Sequence, residues 1–128
     1  MGIGIGPKMI DSVIGVVKAY ISRVGTGPFP TELHDETGDR LIDIGGEYGV
    51  VTGRRRRCGW LDAVALRYAV RVNGLTEIAL TKLDILSHFE TIKIATAYTS
   101  LGERHTEFPR QQRVLYNCVP HYEEHEGW

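Results

Sequence analysis

The most restrictive pattern in this sequence lies between residues 61 and 72, where Leu61, Val64, Ala65, Tyr68, Ala69 and Val72 recur at three- and four-residue spacing. On a 3.6-residue period these positions form one apolar stripe. The spacing predicts an amphipathic helix over about residues 60–73 that must lay its stripe on another element. Asp62 falls in its first turn, where the dipole favours a carboxylate, and Asn73-Gly74 supplies a C-terminal stop. Ahead of it, residues 15–24 are rich in β-branched and aromatic side chains and read as a strand. Behind it, residues 77–81 and 91–98 read as two more. Strand, helix, strand in that order predicts a right-handed crossover and a parallel pair, and so an α/β chain.

The remaining segments are punctuated by glycine and proline. Residues 8–13 are predicted as a short helix after Pro7, and residues 37–44 as another, stopped by Gly45-Gly46. The turn at residues 25–31 holds two glycines and two prolines and cannot continue a ladder. Residues 99–120 read as alternating turns and short extended pieces, and residues 121–128 as a solvated polar tail. With 128 residues the chain is long enough for one domain with a core of its own.

Composition excludes several classes. A hydrophobic content of 42% and a charged content of 24% are those of a soluble globular protein. The net charge of -1 favours neither nucleic acid nor an anionic membrane as a global partner. No apolar stretch approaches the roughly 20 residues that span a bilayer. Residues 1–7 have neither the basic nor the apolar region of a signal peptide. Cys58 and Cys118 form no CxxC pair and are too few for a disulfide framework, which points to a reducing cytoplasm.

Four segments carry side chains suited to chemistry. Arg54, Arg55, Arg56 and Arg57 follow a glycine-punctuated loop and precede the predicted helix. Guanidinium forks match carboxylates and phosphates, and a helix N-terminus adds free N–H groups, so the run reads as an anion site. A solvated basic patch or a nonspecific RNA contact is equally compatible with the local sequence. Thr81-Lys82-Leu83-Asp84 ends a predicted strand, where open α/β sheets deliver ligand contacts. There the Asp84 carboxylate can accept two hydrogen bonds from guanine while the Lys82 stem lies along the base; a capping Asp84 is the alternative. Gly25-Thr26-Gly27 hints at phosphate binding, but the chain has no Walker A sequence, and a proline-locked structural turn is the simpler reading. His121 and His125 lie four apart as metal ligands on a helix would, yet Tyr122 stands where a metalloprotease motif needs Glu, so no metal site is expected. His34, His88 and His105 are isolated.

Together these segments resemble the adenylosuccinate synthetase family. The resemblance rests on VVKAYISRVGTGPFPTEL at residues 16–33, GGEYGVVTGRRRRCGWLD at 45–62, AVRVNGL at 69–75 and LTKLDIL at 80–86, with Tyr122-Glu123 and Gly127-Trp128 agreeing near the end. It covers nearly the whole chain. It implies a P-loop-NTPase-like α/β fold, mostly parallel strands with crossover helices, of which residues 1–128 form a partial domain. The family joins IMP to L-aspartate at the expense of GTP: the O6 of IMP is phosphorylated, and the amine of aspartate then displaces the phosphate.

By resemblance, Val50, Val51, Thr52, Gly53, Arg54, Arg55 and Arg56 form the loop that closes over aspartate and IMP. Arg54 would reach IMP and the aspartate carboxylate. Arg56 would reach aspartate and the GTP phosphates, and Lys82, Leu83 and Asp84 would hold the guanine base. Val51 departs from the family's usual Thr, and losing that hydroxyl weakens aspartate binding by roughly 0.5–1.5 kcal/mol. The resemblance also implies GTP as co-substrate, Mg²⁺ as cofactor, a cytoplasmic homodimer, and metal ligands, catalytic Asp and catalytic His all outside this chain. Gly2 to Pro7 resembles the family's Gly-x-Gly-Pro segment, so the chain is expected to lack the amino-terminal phosphate loop and the last guanine-contacting loop. Alone it is then expected to be inactive, with weak guanine-nucleotide or anion binding as its residual property. Nonspecific RNA binding through the arginine run is the competing expectation.

Overall fold

The computed structural model describes residues 4–128, apart from the Pro7 side chain. The readings on residues 1–3, which begin the Gly-x-Gly-Pro resemblance and the signal-peptide argument, lie outside the described residues. Among the described residues, seven strands and four helices follow a turn of 3-10 helix at Pro7–Met9: β1 Ile14–Lys18, β2 Tyr20–Arg23, α1 Glu36–Gly45, β3 Arg57–Asp62, α2 Ala63–Asn73, β4 Glu77–Thr81, α3 Leu83–Leu86, β5 Thr91–Ser100, β6 Glu103–His105, α4 Gln112–Tyr116 and β7 Val119–Glu126.

The strands form two sheets. β1 and β4 pair in parallel, Ile14 opposite Glu77 through Lys18 opposite Thr81, with α2 between them in sequence. The larger sheet holds β2 antiparallel to β3, and β3 parallel to β5 at Leu61 and Asp62. β5 is its backbone: β7 runs antiparallel along it from Thr91 to Thr99, and β6 pairs with Tyr98 to Ser100. The core lies where α1 and α3 cover this sheet, around Tyr20, Leu41, Ile42, Trp60, Leu86 and Phe89. Trp60 meets Phe89 edge-on at 5.7 Å. That geometry suits two ring quadrupoles in a dry interior.

The parallel pair, α1, β4 and the start of β5 lie where the sequence patterns put them. Gly46, with a left-handed backbone, caps α1 as the glycine pair suggested. Other expectations are corrected. Residues 15–24 are two strands rather than one, because the chain changes sheets at Ala19, whose N–H donates to Thr81 O at 2.8 Å. The helix expected at residues 8–13 is only the 3-10 turn. The long amphipathic helix begins at Ala63 rather than residue 60. Residues 57–62 are extended instead, because Cys58 and Trp60 are buried among core side chains. Asp62 is therefore the N-cap of α2, accepting from the amides of Val64 at 3.1 Å and Ala65 at 3.0 Å. Its other oxygen takes the Tyr98 hydroxyl. Residues 121–128, expected as a free tail, mostly belong to β7, with Tyr122 half-buried. The five residues of α4 interrupt a stretch expected to be turns and extended pieces.

Candidate substrate-binding site

The glycine-rich loop is a hairpin. Gly49 N–H donates to Arg54 O at 2.8 Å, Gly53 N–H donates to Gly49 O at 2.8 Å, and Arg56 N–H donates to Glu47 O at 2.9 Å. Gly53 closes it with a φ of 63°, a backbone conformation that a side chain disfavours. Val50 and Val51 project from its tip almost wholly into solvent, 97% and 96% exposed. Thr52 Oγ1 accepts from the Arg54 amide. The hairpin stands on α1, tied by Tyr48 to Asp43.

The four arginines are not equivalent. Arg55 pairs with Asp39 of α1, and Arg56 donates from Nη1 to Glu47 Oε2 at 3.2 Å. Arg57 grips Glu32 with both arms of its fork; Nε lies 2.7 Å from Oε1. Its Nη1 also donates to the carbonyls of Gly25 at 2.8 Å and Gly27 at 2.9 Å, and its guanidinium lies over Phe29. Those bonds make residues 25–31 a strap fastened by Arg57. Only Arg54 has an exposed guanidinium with no partner among the described residues. Three of the four charges are neutralised locally, which removes the basic patch that an RNA-binding reading needs. The strand β3 also separates the run from α2, whose first amides Asp62 already caps, so no helix N-terminus contributes to an anion site here.

Behind the hairpin lies Glu47, a carboxylate only 2% exposed. Its Oε1 accepts from Lys18 Nζ at 2.6 Å and from the Tyr20 hydroxyl at 2.7 Å, while Lys18 also donates to Ser22 Oγ at 2.7 Å. Burial works to raise this carboxyl, but hydrogen bonds from Lys18, Tyr20 and Ser22 outweigh it and hold it below the usual range. Tyr20 moves the opposite way, raised first by burial and then by its bond to Glu47.

Thr81, Lys82, Leu83 and Asp84 follow directly from β4. Lys82 adopts a φ of 61°, unusual for a residue with a side chain, and this bend carries the chain into α3. Its Nζ donates to Gly45 O at 3.1 Å, at the end of α1 where the hairpin begins. Asp84 does not cap α3: Lys82 holds that position without a side-chain bond, and the Asp84 carboxylate is exposed and has no side-chain partner among the described residues. Leu83 is exposed beside it. The structure thus brings the base of the arginine hairpin and the Lys82 turn to one junction at the C-terminus of α1. It leaves Arg54 and Asp84 as the unpartnered charges of the two segments.

The histidines form no centre. His121 bonds Thr99 and His125 faces Glu123 on an extended strand, and no three His, Cys, Asp or Glu side chains among the described residues group as a metal site. A separate cavity of about 580 Å³ is lined by Leu33, Arg40, Trp60, His88, Phe89 and Tyr122 among others and contains none of the candidate residues. Cys58 and Cys118 are free thiols, and burial pushes Cys58 up to about 11. No helix among the described residues is long and apolar enough to cross a membrane.

A family model for adenylosuccinate synthetase matches residues 1–128. The chain belongs to the adenylosuccinate synthetase family. Relatives named adenylosuccinate synthetase include one from Caldanaerobacter subterraneus subsp. tengcongensis, 62% identical over 128 residues, and one from Trichlorobacter lovleyi, 58% identical over 127 residues. The match covers 100% and 99% of this chain but 30% of each relative. Among solved structures, that of fully ligated adenylosuccinate synthetase from Plasmodium falciparum superposes with a TM-score of 0.90 at 42% identity, over 99% of this chain and 31% of that one. The chain therefore spans about 30% of the length of the synthetases it matches. Within this family segment, the residue that reading by motif passed over is Glu47. Its signal was present as Lys18, Tyr20 and Ser22, polar groups at two-residue spacing in an otherwise apolar stretch.

Proposed function

We propose that this chain is the ligand-gripping portion of an enzyme that joins IMP and L-aspartate into adenylosuccinate at the expense of GTP, in AMP biosynthesis. The observation that carries the reading is the bond from Lys82 Nζ to Gly45 O, which fastens the Thr81-Lys82-Leu83-Asp84 turn to the foot of the arginine hairpin. One nucleotide can then meet both: base at the turn, phosphates at the arginines.

In this reading Asp84 accepts from N1–H and the exocyclic amine of guanine, with Lys82 and Leu83 against the base. Adenine has no equivalent pair of donors, so the contact selects GTP. Arg54, free and exposed, takes IMP and the aspartate carboxylate bidentately. Arg56 reaches aspartate and the GTP phosphates, where positioning and charge stabilisation dominate phosphoryl transfer. Val50, Val51, Thr52, Gly53 and Arg55 make up the rest of the loop over aspartate; Val51 lends it an apolar surface in place of a hydroxyl. The enzyme works in the cytoplasm, a reading favoured by the two free cysteines, and as a homodimer, which rests on family membership alone.

Mg²⁺ accompanies GTP in this chemistry, yet the described residues offer no cluster of carboxylates or imidazoles to hold it. This chain is assigned ligand binding, and residues 1–128 are assigned as a partial domain. Calorimetric titration tests the assignment. GTP binds more tightly than ATP, and Asp84→Asn removes most of that preference. Equal binding of the two nucleotides by the unmodified chain overturns the reading.

A further inference from the structure

The geometry assigns Glu47 as the positioning residue that aims Arg56 at the phosphate-bearing ligand. This rests on the reading of Arg56 as a phosphate ligand and adds a role for Glu47, a residue of the 45–62 stretch to which the resemblance gives none. Glu47 is fixed from two sides. Lys18 at the end of β1 and Tyr20 at the start of β2 both hold Oε1, at 2.6 and 2.7 Å, which leaves Oε2 for Arg56. A carboxylate gripped in this way cannot follow a moving side chain, so it sets the place of the guanidinium.

Arg56 is only partly used by that contact. Nη1 meets Glu47 at a long 3.2 Å, Nη2 has no partner among the described residues, and Nε is buried without one. A buried N–H left unpaired is costly unless something completes it. A guanidinium anchored through Nη1, with Nη2 unspent, presents that donor to an incoming oxyanion without further ordering of a long side chain. The anchor also sits at the junction already described. Gly45, whose carbonyl accepts from Lys82, lies so close to Tyr20 that a methyl group there would overlap its hydroxyl and approach Glu47. The group that sets Arg56 is thereby built into the wall that carries the Lys82 turn.

A purely structural role for Glu47 predicts lower stability and nothing else. The test therefore compares Glu47→Gln with Tyr98→Phe, which removes a buried hydroxyl bonded to Asp62 away from the hairpin and lowers stability by itself. Binding of GTP, guanosine and inorganic pyrophosphate by the full chain is measured well below the melting temperature of each variant. Glu47→Gln is expected to weaken GTP and pyrophosphate about tenfold while guanosine is unchanged, and Tyr98→Phe to alter none of the three. Unchanged GTP and pyrophosphate affinity in Glu47→Gln overturns the inference and leaves the nucleotide reading standing. Tighter binding overturns it too, since it would mean that the carboxylate competes with ligand for Arg56. If the unmodified chain binds pyrophosphate but shows no preference for GTP over ATP, the guanine reading fails while the pyrophosphate arm still decides Glu47. Binding of no anion at all overturns both.

Discussion

Arg54 and Arg57 stand three positions apart in a run of identical residues, yet the structure gives them opposite employment. Arg57 spends its fork on Glu32 and on two carbonyls of the Gly25–Gly27 strap, whereas Arg54 holds nothing. The Glu32 carboxyl is held below the usual range first by that hydrogen bond from Arg57, against the effect of burial. Breaking one side of a partly buried pair strands the other. Arg57→Ala is accordingly expected to cost about 2–3 kcal/mol in urea denaturation, a figure already reduced for partial solvent screening. Arg54→Ala is expected to leave the denaturation midpoint unchanged and to weaken binding of IMP. Equal midpoints for the two variants would contradict the division of labour. The local sequence does not distinguish these arginines, although the resemblance gives a ligand role to Arg54 alone of the two; what separates them is an acid 25 residues earlier in the chain for one and open solvent for the other.

The elements most legible in the sequence are those whose pattern depends on their own residues. The Glu77-Ile-Ala-Leu-Thr81 strand and the glycine-stopped α1 obey local rules of propensity and capping, and both lie where those rules put them. The misread elements answer to partners. The Ala19 break exists because Thr81 takes its amide. β7 is a strand despite its charges because β5 offers a ladder to pair with, and β3 stays extended because Trp60 is drawn into the core. The site divides in the same way: its arginines and the Lys82 turn could be named from motif and resemblance, but Glu47 needed three donors brought from β1, β2 and the hairpin. At this scale the weak element is the β1–β4 pair. Every residue of β4 is exposed, and a two-stranded sheet has little stability of its own. Hydrogen–deuterium exchange is therefore expected to label the amides of residues 77–81 well before those of residues 92–98. Protection equal to that of β5 would refute it.

Across the whole molecule, apolar groups that parallel sheets ordinarily cover lie open: Ile14 and Val16 on β1, Ile78 and Leu80 on β4, with Val72 on α2. Ile14 and Val16 are 58% and 77% exposed, and β1 and β4 each present an unpaired edge. Exposed edges and contiguous apolar surface promote association. The isolated chain is expected to sediment as concentration-dependent oligomers. Val16→Lys, which places a charge on the most exposed of these strand positions, is expected to shift it toward monomer. A monodisperse monomer across the concentration range would contradict both the exposure and its consequence.

The crossing at Ala19 has a mechanical corollary. A single residue joins β1 to β2, so the two sheets are connected in series with no slack between them. The parallel ladder of β1 with β4 is therefore separated from the antiparallel ladder of β2 with β3 by that one residue. The Ala19 amide, which donates to Thr81 O at 2.8 Å, ties this link to the residue before the Lys82 turn, while β2 beyond it pairs with the strand that carries Arg57.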